Sequence, residues 1–586
     1  MRQWMVAAKK ADFYAIAEKF HVDPVVARII RNREVIGEKN IRIYLGGNLS
    51  DLSDPHQMKD MDRLVEILAQ KIRKQVHIRI IGDYDVDGVT SSHLFLTALR
   101  RVGAKVDVVI PHRIQDGYGL SLHLLQQAKE DGVDTILTCD NGIAAIDEIA
   151  WAKAQKMTVL VTDHHAVPFE EHEGRRTEKK SLADAVVNPH QQDCGYPYKE
   201  LCGAGVAWNV IRVLYENYDM DKREAEDLLD FVAMATVCDV MSLTGENRIL
   251  VKEGLKRIRH TKNIGLQALM QACNVQPENI SAYHFGYVLG PCVNATGRLD
   301  TARHALRLFE TGQETEAEEI ARDLVDLNQE RKELTLQGVE MAKKLCEEGG
   351  YENDPVLVLF LPDVHESIAG LIAGRIREMY NRPVFVLTRG EEGVKGSGRS
   401  TENYSMYENM CGCAELFTKF GGHPMAAGLS LLEENVEKFR RKINENCPLT
   451  VEEVCPDIHI DMAMPVGYAS TELVHQFALL EPFGKDNPSP LFADRNLSIS
   501  RMWVIGKNRN VLRMSVLSEY GQPVPVIFFG DVETLFAYFT EKFGQEEVEN
   551  ALHGRKNRIL FSMVYTAKVD FYQGNENLQL EMKYYR

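Results

Sequence analysis

The sequence predicts a multidomain α/β protein with a parallel-sheet domain, a long connecting helix, a second α/β domain and a C-terminal β-barrel. Three observations carry this. Short β-branched runs alternate with helical stretches from Val76 onward, a proline-free and charge-rich stretch follows Glu314, and short strands crowd the chain beyond Pro456.

Residues 1–50 read as a helical leader anchored by Ile29, Ile30, Val35 and Ile36. In residues 51–300 the runs Val76–Ile81, Val106–Ile110, Thr135–Thr138, Thr158–Val161 and Ala185–Val187 are separated by helical sequence, the pattern of a parallel sheet covered on both faces. Residues 301–350 hold the connector, in which Ile320, Leu324, Leu327, Leu334, Leu336, Val339 and Leu345 recur among charges as one or two long helices. A second α/β unit fills 351–450. Strands at Met502–Ile505, Val511–Val516, Val524–Phe529 and Ile559–Tyr565 predict a small barrel in 451–586.

At 586 residues the chain is too long for one core, and 45% hydrophobic with 26% charged residues excludes disorder and fibre. Lysine plus arginine total 68 against 85 acidic residues, a net charge of −17. That sum counts against a nucleic-acid partner, yet a basic channel can sit inside an acidic molecule. The 11 scattered cysteines include no CxxC repeat, which argues for a reducing compartment. The first residues do not resemble a signal peptide and no apolar stretch is long enough to span a bilayer, so a soluble, cytoplasmic protein is expected, with no membrane partner.

The chemistry concentrates at strand ends. Asp83, Asp85 and Asp87 follow the run ending at Ile81, Asp140 follows Thr138-Cys139, and Asp163-His164-His165 follows Thr162. The C-terminal ends of parallel strands are where α/β folds place ligands. Crowded carboxylates repel one another unless cations are bound. Each piece also has a plainer reading, since aspartates cap helices and Asp-Asn-Gly makes turns. Asp239 leaves an apolar run, Ala235–Val240, and needs a partner there. Oxygen ligands plus imidazole suit manganese or magnesium, and two such ions would favour phosphoester hydrolysis.

The ordered motifs IGDYDVDG, TCDNGI, TDHHAV and ATVCDV resemble those of the DHH phosphoesterase family. The resemblance implies metal ligation by Asp85, Asp87, Asp140, His164 and Asp239, contact of His165 with the scissile phosphate, and support from Asp83 and Asp163. Some relatives place a histidine where Ile81 stands, which leaves the first metal's ligand set open. Lys395–Ser400 and Gly421–Gly428 resemble substrate-binding motifs of the DHH-associated domain, and bring in Ser397, Arg399, Gly421, Gly422 and His423; glycine-rich turns are the plainer alternative. Asn294–Leu299, Pro111–Arg113 and Gly117–Leu120 resemble further segments of RecJ-type members. They offer Asn294, with Arg113 and Arg298 as phosphate contacts or, equally, surface ion pairs.

Glu481–Pro488 and the strands after it resemble the OB-fold of the RecJ-type exonucleases. Lys507, Arg509, Arg513 and Trp503 offer charge and stacking surface there, although a tryptophan in a small barrel is more often core. The resemblance implies a single-stranded-DNA-specific 5′ to 3′ exonuclease of recombination and repair using two Mn2+ or Mg2+ ions. It also implies a helicase and a single-strand-binding protein as partners. A phosphodiesterase for short oligonucleotides or cyclic dinucleotides, and a non-catalytic DNA-binding scaffold, are the rival readings.

Overall fold

The structure, a computed structural model, describes all residues except 1, 2, 114, 115, 117, 118, 173, 174, 352, 391, 392, 507–509 and 573. It forms two compact units. The first holds Leu52–Met241 and Leu250–Pro456, and the second Gln3–Asp51, Ser242–Ile249 and Asp457–Arg586.

The first unit begins with β1 (His77–Ile81), α1 (Val86–Arg101), β2 (Lys105–Val109), β3 (Thr135–Cys139), β4 (Thr158–Thr162) and β5 (Ala185–Val187). These strands form an all-parallel sheet in the order β2-β1-β3-β4-β5. Ile78, Ile80, Ile81, Ile136, Leu137, Val159, Leu160 and Val161 are fully buried, as expected when helices cover both faces. The chain runs outward from β1 to β2, then returns to the other side of β1 for β3. That reversal opens a crevice at the C-terminal ends of β1 and β3, where such sheets bind ligands.

Helices α2 (Gly203–Asn217), α3 (Leu229–Cys238) and α4 (Gly290–Leu299) follow, and then α5 (Glu314–Glu348), a single unbroken connector. It leads into β6 (Leu357–Phe360), β7 (Val384–Gly390), β8 (Gly393–Arg399), β9 (Phe417–His423) and β10 (Ala426–Leu431), ordered β9-β10-β8-β7-β6. Only β6 and β7 pair in parallel in this second sheet.

In the second unit β11 (Phe492–Ile505), β12 (Val511–Leu517), β13 (Pro523–Phe529), β14 (Leu560–Tyr572) and β15 (Asn575–Tyr585) run β11-β12-β13-β15-β14, and β14 pairs back onto β11. The ring is therefore a closed barrel without a free edge. Its interior shares one core with the leader: Val26, Ile29, Ile30 and Tyr44 cluster with Phe477, Leu480, Phe492 and Phe561. Trp4–Val6 also pairs with Ile458–Ile460 as parallel strands.

Ile36, an expected anchor, faces solvent, and Trp503 takes the outward direction that a stacking surface needs. Ile36 is 57% exposed, because it lies in the turn between two leader helices rather than on their buried faces. Trp503 is 37% exposed, since the alternation of β11 turns Met502 inward and Arg501 and Trp503 outward. Arg513, its cross-strand partner, is exposed too, whereas Lys507, Arg509, Gly117 and Tyr118 lie outside the described residues. Among the described residues no helix is long and apolar enough to cross a membrane.

Arg248 clasps the second unit from within. Its Nε donates to the Tyr44 carbonyl, and Nη1 and Nη2 to the Leu480 and Leu479 carbonyls, each at 2.8 Å, while its guanidinium lies 4.0 Å from the Tyr44 ring centroid. Burial pulls its pKa below the usual arginine value. Removing a donor from buried acceptors costs about 1 to 3 kcal/mol per group. Arg248→Met is expected to destabilise this unit by about 3 kcal/mol or more on that scale, seen as faster amide exchange in β11–β13. Unchanged exchange there would remove the clasp from the account.

Candidate functional site

The acidic loop after β1 is folded by its own side chains. Asp85 caps α1, accepting from the Gly88 amide at 3.0 Å, which agrees with the helix-cap reading. Gly88 is required at this turn, where a Cβ would lie 2.5 Å from the Asp83 backbone. Asp140 takes a left-handed conformation (φ 62°) in the Asp-Asn-Gly turn after β3. Asn141 fastens that turn by donating to the carbonyls of Ile81 (3.1 Å) and Cys139 (2.9 Å).

Asp163, at the end of β4, is saturated. One oxygen accepts from the Ile143 amide at 2.8 Å; the other accepts from the His164 and His165 amides and sits 2.8 Å from His165 Nδ1. Burial would raise its pKa, but the hydrogen bond and charge of His165 outweigh this and hold it below the usual carboxylate value. Asp163 thus orients the His165 ring and directs Nε2 away from itself. His165 shows the converse: burial alone would lower its pKa, and the Asp163 contact lifts it to about 9.

The remaining donors converge. His164 Nε2 lies 3.0 Å from Asp140, 3.6 Å from Asp239 and 3.7 Å from Asp87. Burial lowers the His164 pKa, leaving the neutral imidazole that ligates metals. Three groups have ligand atoms mutually within 4.8 Å: Asp83-Asp85-Asp140, Asp87-His164-Asp239 and Asp140-His164-His165. Burial first, and then neighbouring carboxylates, pushes the pKa values of Asp83, Asp85 and Asp140 upward. A bound cation would reverse the direction. Asp83 Oδ1 is buried with no hydrogen-bond partner, and Asp83 offers a ligand atom within 4.8 Å of those of Asp85 and Asp140. Mostly oxygen donors in overlapping groups fit a pair of hard divalent cations.

The N-terminus of α2 is a component that sequence reasoning missed. The Gly203 and Ala204 amides donate to the two Asp87 oxygens at 2.6 and 2.7 Å, so the positive end of a helix holds this carboxylate. A Cβ on Gly203 would lie 2.6 Å from the Asp140 Cβ. The signal was the small-residue run Cys202–Gly205 opening an apolar helix.

Arg113, Arg298, Ser397, Arg399 and Gly421, with Tyr84, line a cavity of about 480 Å³ between the two sheets of the first unit. Arg298 donates to the Ser367 carbonyl at 2.7 Å, Arg399 to the Gly398 carbonyl at 2.7 Å, and Arg113 lies 5.1 Å from the Tyr84 ring centroid. Among the described residues none of the three arginines forms an ion pair. Burial, and then Arg113, Arg331 and Arg399, lowers the Arg298 pKa to about 10. Three crowded guanidinium groups with no ion-pair partner of their own favour an anion. Lys395 and Lys419 add to this wall, although Lys395 is paired with Glu366 at 2.8 Å.

Three expected substrate residues are not on that wall. Asn294 accepts from the Val86 amide at 3.2 Å and so braces the acidic loop. Gly422 and His423 end a hairpin strand; a Cβ on Gly422 would lie 2.5 Å from the Ala426 carbonyl oxygen, and His423 is exposed. Gly422 alternates with Gly421 across the strand, and His423, although of the same parity as Gly421, lies at the strand's exposed end.

Three family models match in order: the DHH family N-terminal domain over residues 77–236, the DHHA1 domain over 353–447 and the RecJ OB domain over 460–584. A single-stranded-DNA-specific exonuclease RecJ of Haemophilus influenzae is 32% identical, with 96% of each chain covered. The chain belongs to the RecJ family. The Escherichia coli RecJ is 31% identical with 95% of each chain covered; the Bacillus subtilis RecJ is 33% identical over 87% of this chain, which spans only 63% of that relative. Among solved structures, a RecJ of Thermus thermophilus in complex with Mn2+ superposes with a TM-score of 0.81 at 25% identity, covering all of this chain and 79% of that one. An exonuclease RecJ bound to manganese reaches 0.57 at 32% identity, over 66% and 94%.

Within this RecJ-family site the Gly203 contact can be tested directly. Gly203→Ala is expected to weaken Mn2+ binding about 10- to 100-fold, the usual effect of disturbing groups that orient ligands. Gly205→Ala, whose Cβ would meet Leu201 at an ordinary 3.4 Å, should bind as wild type. Calorimetric titration of both variants with Mn2+ gives the comparison; equal affinities would mean that the α2 terminus does not govern the site.

Proposed function

We propose that this RecJ-family chain is a single-stranded-DNA-specific exonuclease that hydrolyses phosphodiester bonds with two divalent cations, Mn2+ or Mg2+. The observation that carries the reading is the pairing, within one compact unit, of overlapping carboxylate-histidine donor groups with a guanidinium-lined cavity. The relatives' descriptions supply the substrate class, and the family resemblance supplies the 5′ to 3′ direction.

Asp83, Asp85, Asp140, Asp87, His164 and Asp239 would hold the cations. When bound, such ions activate water and stabilise the charge that develops on the phosphate. The chain's own groups do the rest. Asp163 fixes the His165 ring so that Nε2 can donate to a phosphate oxygen, the Asp87 anchor keeps the donors in register, and Arg113, Arg298, Ser397 and Arg399 hold a phosphate at the strand's end. The closed barrel with outward Arg501, Trp503 and Arg513 favours a polymer over a dinucleotide substrate. Cytoplasmic work on strands opened by a helicase and coated by a single-strand-binding protein completes the proposal; all 11 cysteines being free supports a reducing compartment.

Two outcomes are expected. Asp85→Ala should lower hydrolysis of a labelled single strand by far more than tenfold at saturating Mn2+, since one factor of ten is only about 1.4 kcal/mol; activity above one tenth of wild type removes Asp85 from the metal site. Arg399→Ala should lower kcat/KM about 10- to 100-fold, the loss of one charge-assisted hydrogen bond of about 1.5 to 3 kcal/mol, with Mn2+ affinity unchanged. A matching fall in Mn2+ affinity would place Arg399 in the metal site instead.

A further inference from the structure

Tyr283 and Tyr287 are exposed by 62% and 71%, yet their rings stack on each other with centroids 5.0 Å apart and planes 24° off parallel. Two large aromatic rings ordered against each other in solvent bury little of the surface they were given, so their value lies elsewhere. They stand on Ala282–His284 and on the π-turn Phe285–Leu289 that runs straight into α4. Such turns hold one residue more than an α-helical turn and are frequent at functional sites. The wider turn also brings residues four apart closer to eclipsing, which suits a ring stack.

The π-turn is bonded to the catalytic unit. Cys238 Sγ donates to the Phe285 carbonyl at 3.3 Å, and Cys238 immediately precedes Asp239. A Cβ on Gly290, the first residue of α4, would lie 2.3 Å from that same sulfur, so the helix sits directly against the end of α3. Tyr283, Tyr287, Asn294 and Arg298 follow at intervals of four, seven and four residues, which keeps them on one side of a helix. Asn294 on that side braces the acidic loop and Arg298 lines the cationic cavity.

We infer that Tyr283 and Tyr287 form a stacking platform for an unpaired nucleobase of the strand beyond the metal centre. The inference rests on the exonuclease reading. Every base offers a π-face, so such a platform is indifferent to sequence, and a paired base, stacked within its duplex, cannot reach it. The tyrosines thereby favour single strands over duplex.

The test compares wild type with Tyr283→Ala/Tyr287→Ala and Tyr283→Phe/Tyr287→Phe. Binding of a fluorescent thymidine homopolymer is measured by anisotropy in EDTA, and hydrolysis of the homopolymer and of a thymidine dinucleotide in Mn2+. Stacking contacts of this kind predict that the alanine pair weakens homopolymer binding about tenfold or more and raises its KM likewise. Dinucleotide kcat/KM should stay within about twofold, because that substrate ends before the platform, and the phenylalanine pair should match wild type. A homopolymer of abasic residues should bind wild type and the alanine pair equally. Homopolymer binding unchanged in the alanine pair overturns the inference, as does an equal fall for the dinucleotide, which would mean damage to the metal site. Wild type that leaves the homopolymer intact overturns the exonuclease reading itself, a result independent of the tyrosines.

Discussion

The centre of this molecule is an electrostatic conflict. Asp83, Asp85, Asp87 and Asp140 occupy the crevice at the ends of β1 and β3, buried or nearly so, where like charges cannot be screened by water. The fold answers with fixed positive ends: an amide of the α1 terminus donates to Asp85, and the α2 terminus holds both oxygens of Asp87. Asp163 spends its charge on His165. What stays uncompensated, Asp83 Oδ1 among it, is the capacity to take up cations. The glycines at 88 and 203 follow from the same constraint, because the carboxylates must approach backbone closely.

A second charge concentration of opposite sign lies in the same unit. Among the described residues Arg113, Arg298 and Arg399 form no ion pair, and burial disfavours the ionised forms of Arg298 and Arg399 as it does those of Asp83, Asp85 and Asp140. Each set wants a ligand of opposite sign. A phosphodiester with bound cations is chemically both at once, anionic toward the arginines and metal-bridged toward the aspartates. The net charge of −17 concealed this, since a whole-chain sum averages over the two sets.

Strand ends, the long connector and the barrel were legible because they depend on local periodicity and on motif order. Asp85 and Asp140 were legible as residue types but carried two readings, cap or turn against ligand, and both proved compatible with one conformation. Less legible was whatever depends on the direction of a side chain. Asn294 accepts from the Val86 amide and does not line the cavity, and neither does His423, although it follows Gly421 and Gly422 in sequence. Trp503 carried two readings, stacking surface and core, and the parity of β11, which β-bulge shifts alter, turns it outward as the first requires. Gly203 escaped notice because small residues at a helix start carry no charge of their own.

The second unit is built from more of the chain than the barrel alone. Its core draws on three separated segments: the leader supplies Val26, Ile29 and Ile30, the short Ser242–Ile249 stretch supplies Arg248, and the rest comes after Asp457. Cutting at Pro456 would therefore do more than remove a strand-binding surface. It would expose the leader's apolar face to water and leave the Arg248 guanidinium without the Leu479 and Leu480 carbonyls, each an unfavourable change in its own right. Loss of activity in such a truncation would report unfolding as readily as lost DNA contact. The barrel's role is separable only at its surface, at Arg501, Trp503 and Arg513, whose side chains face solvent and whose removal leaves the shared core intact.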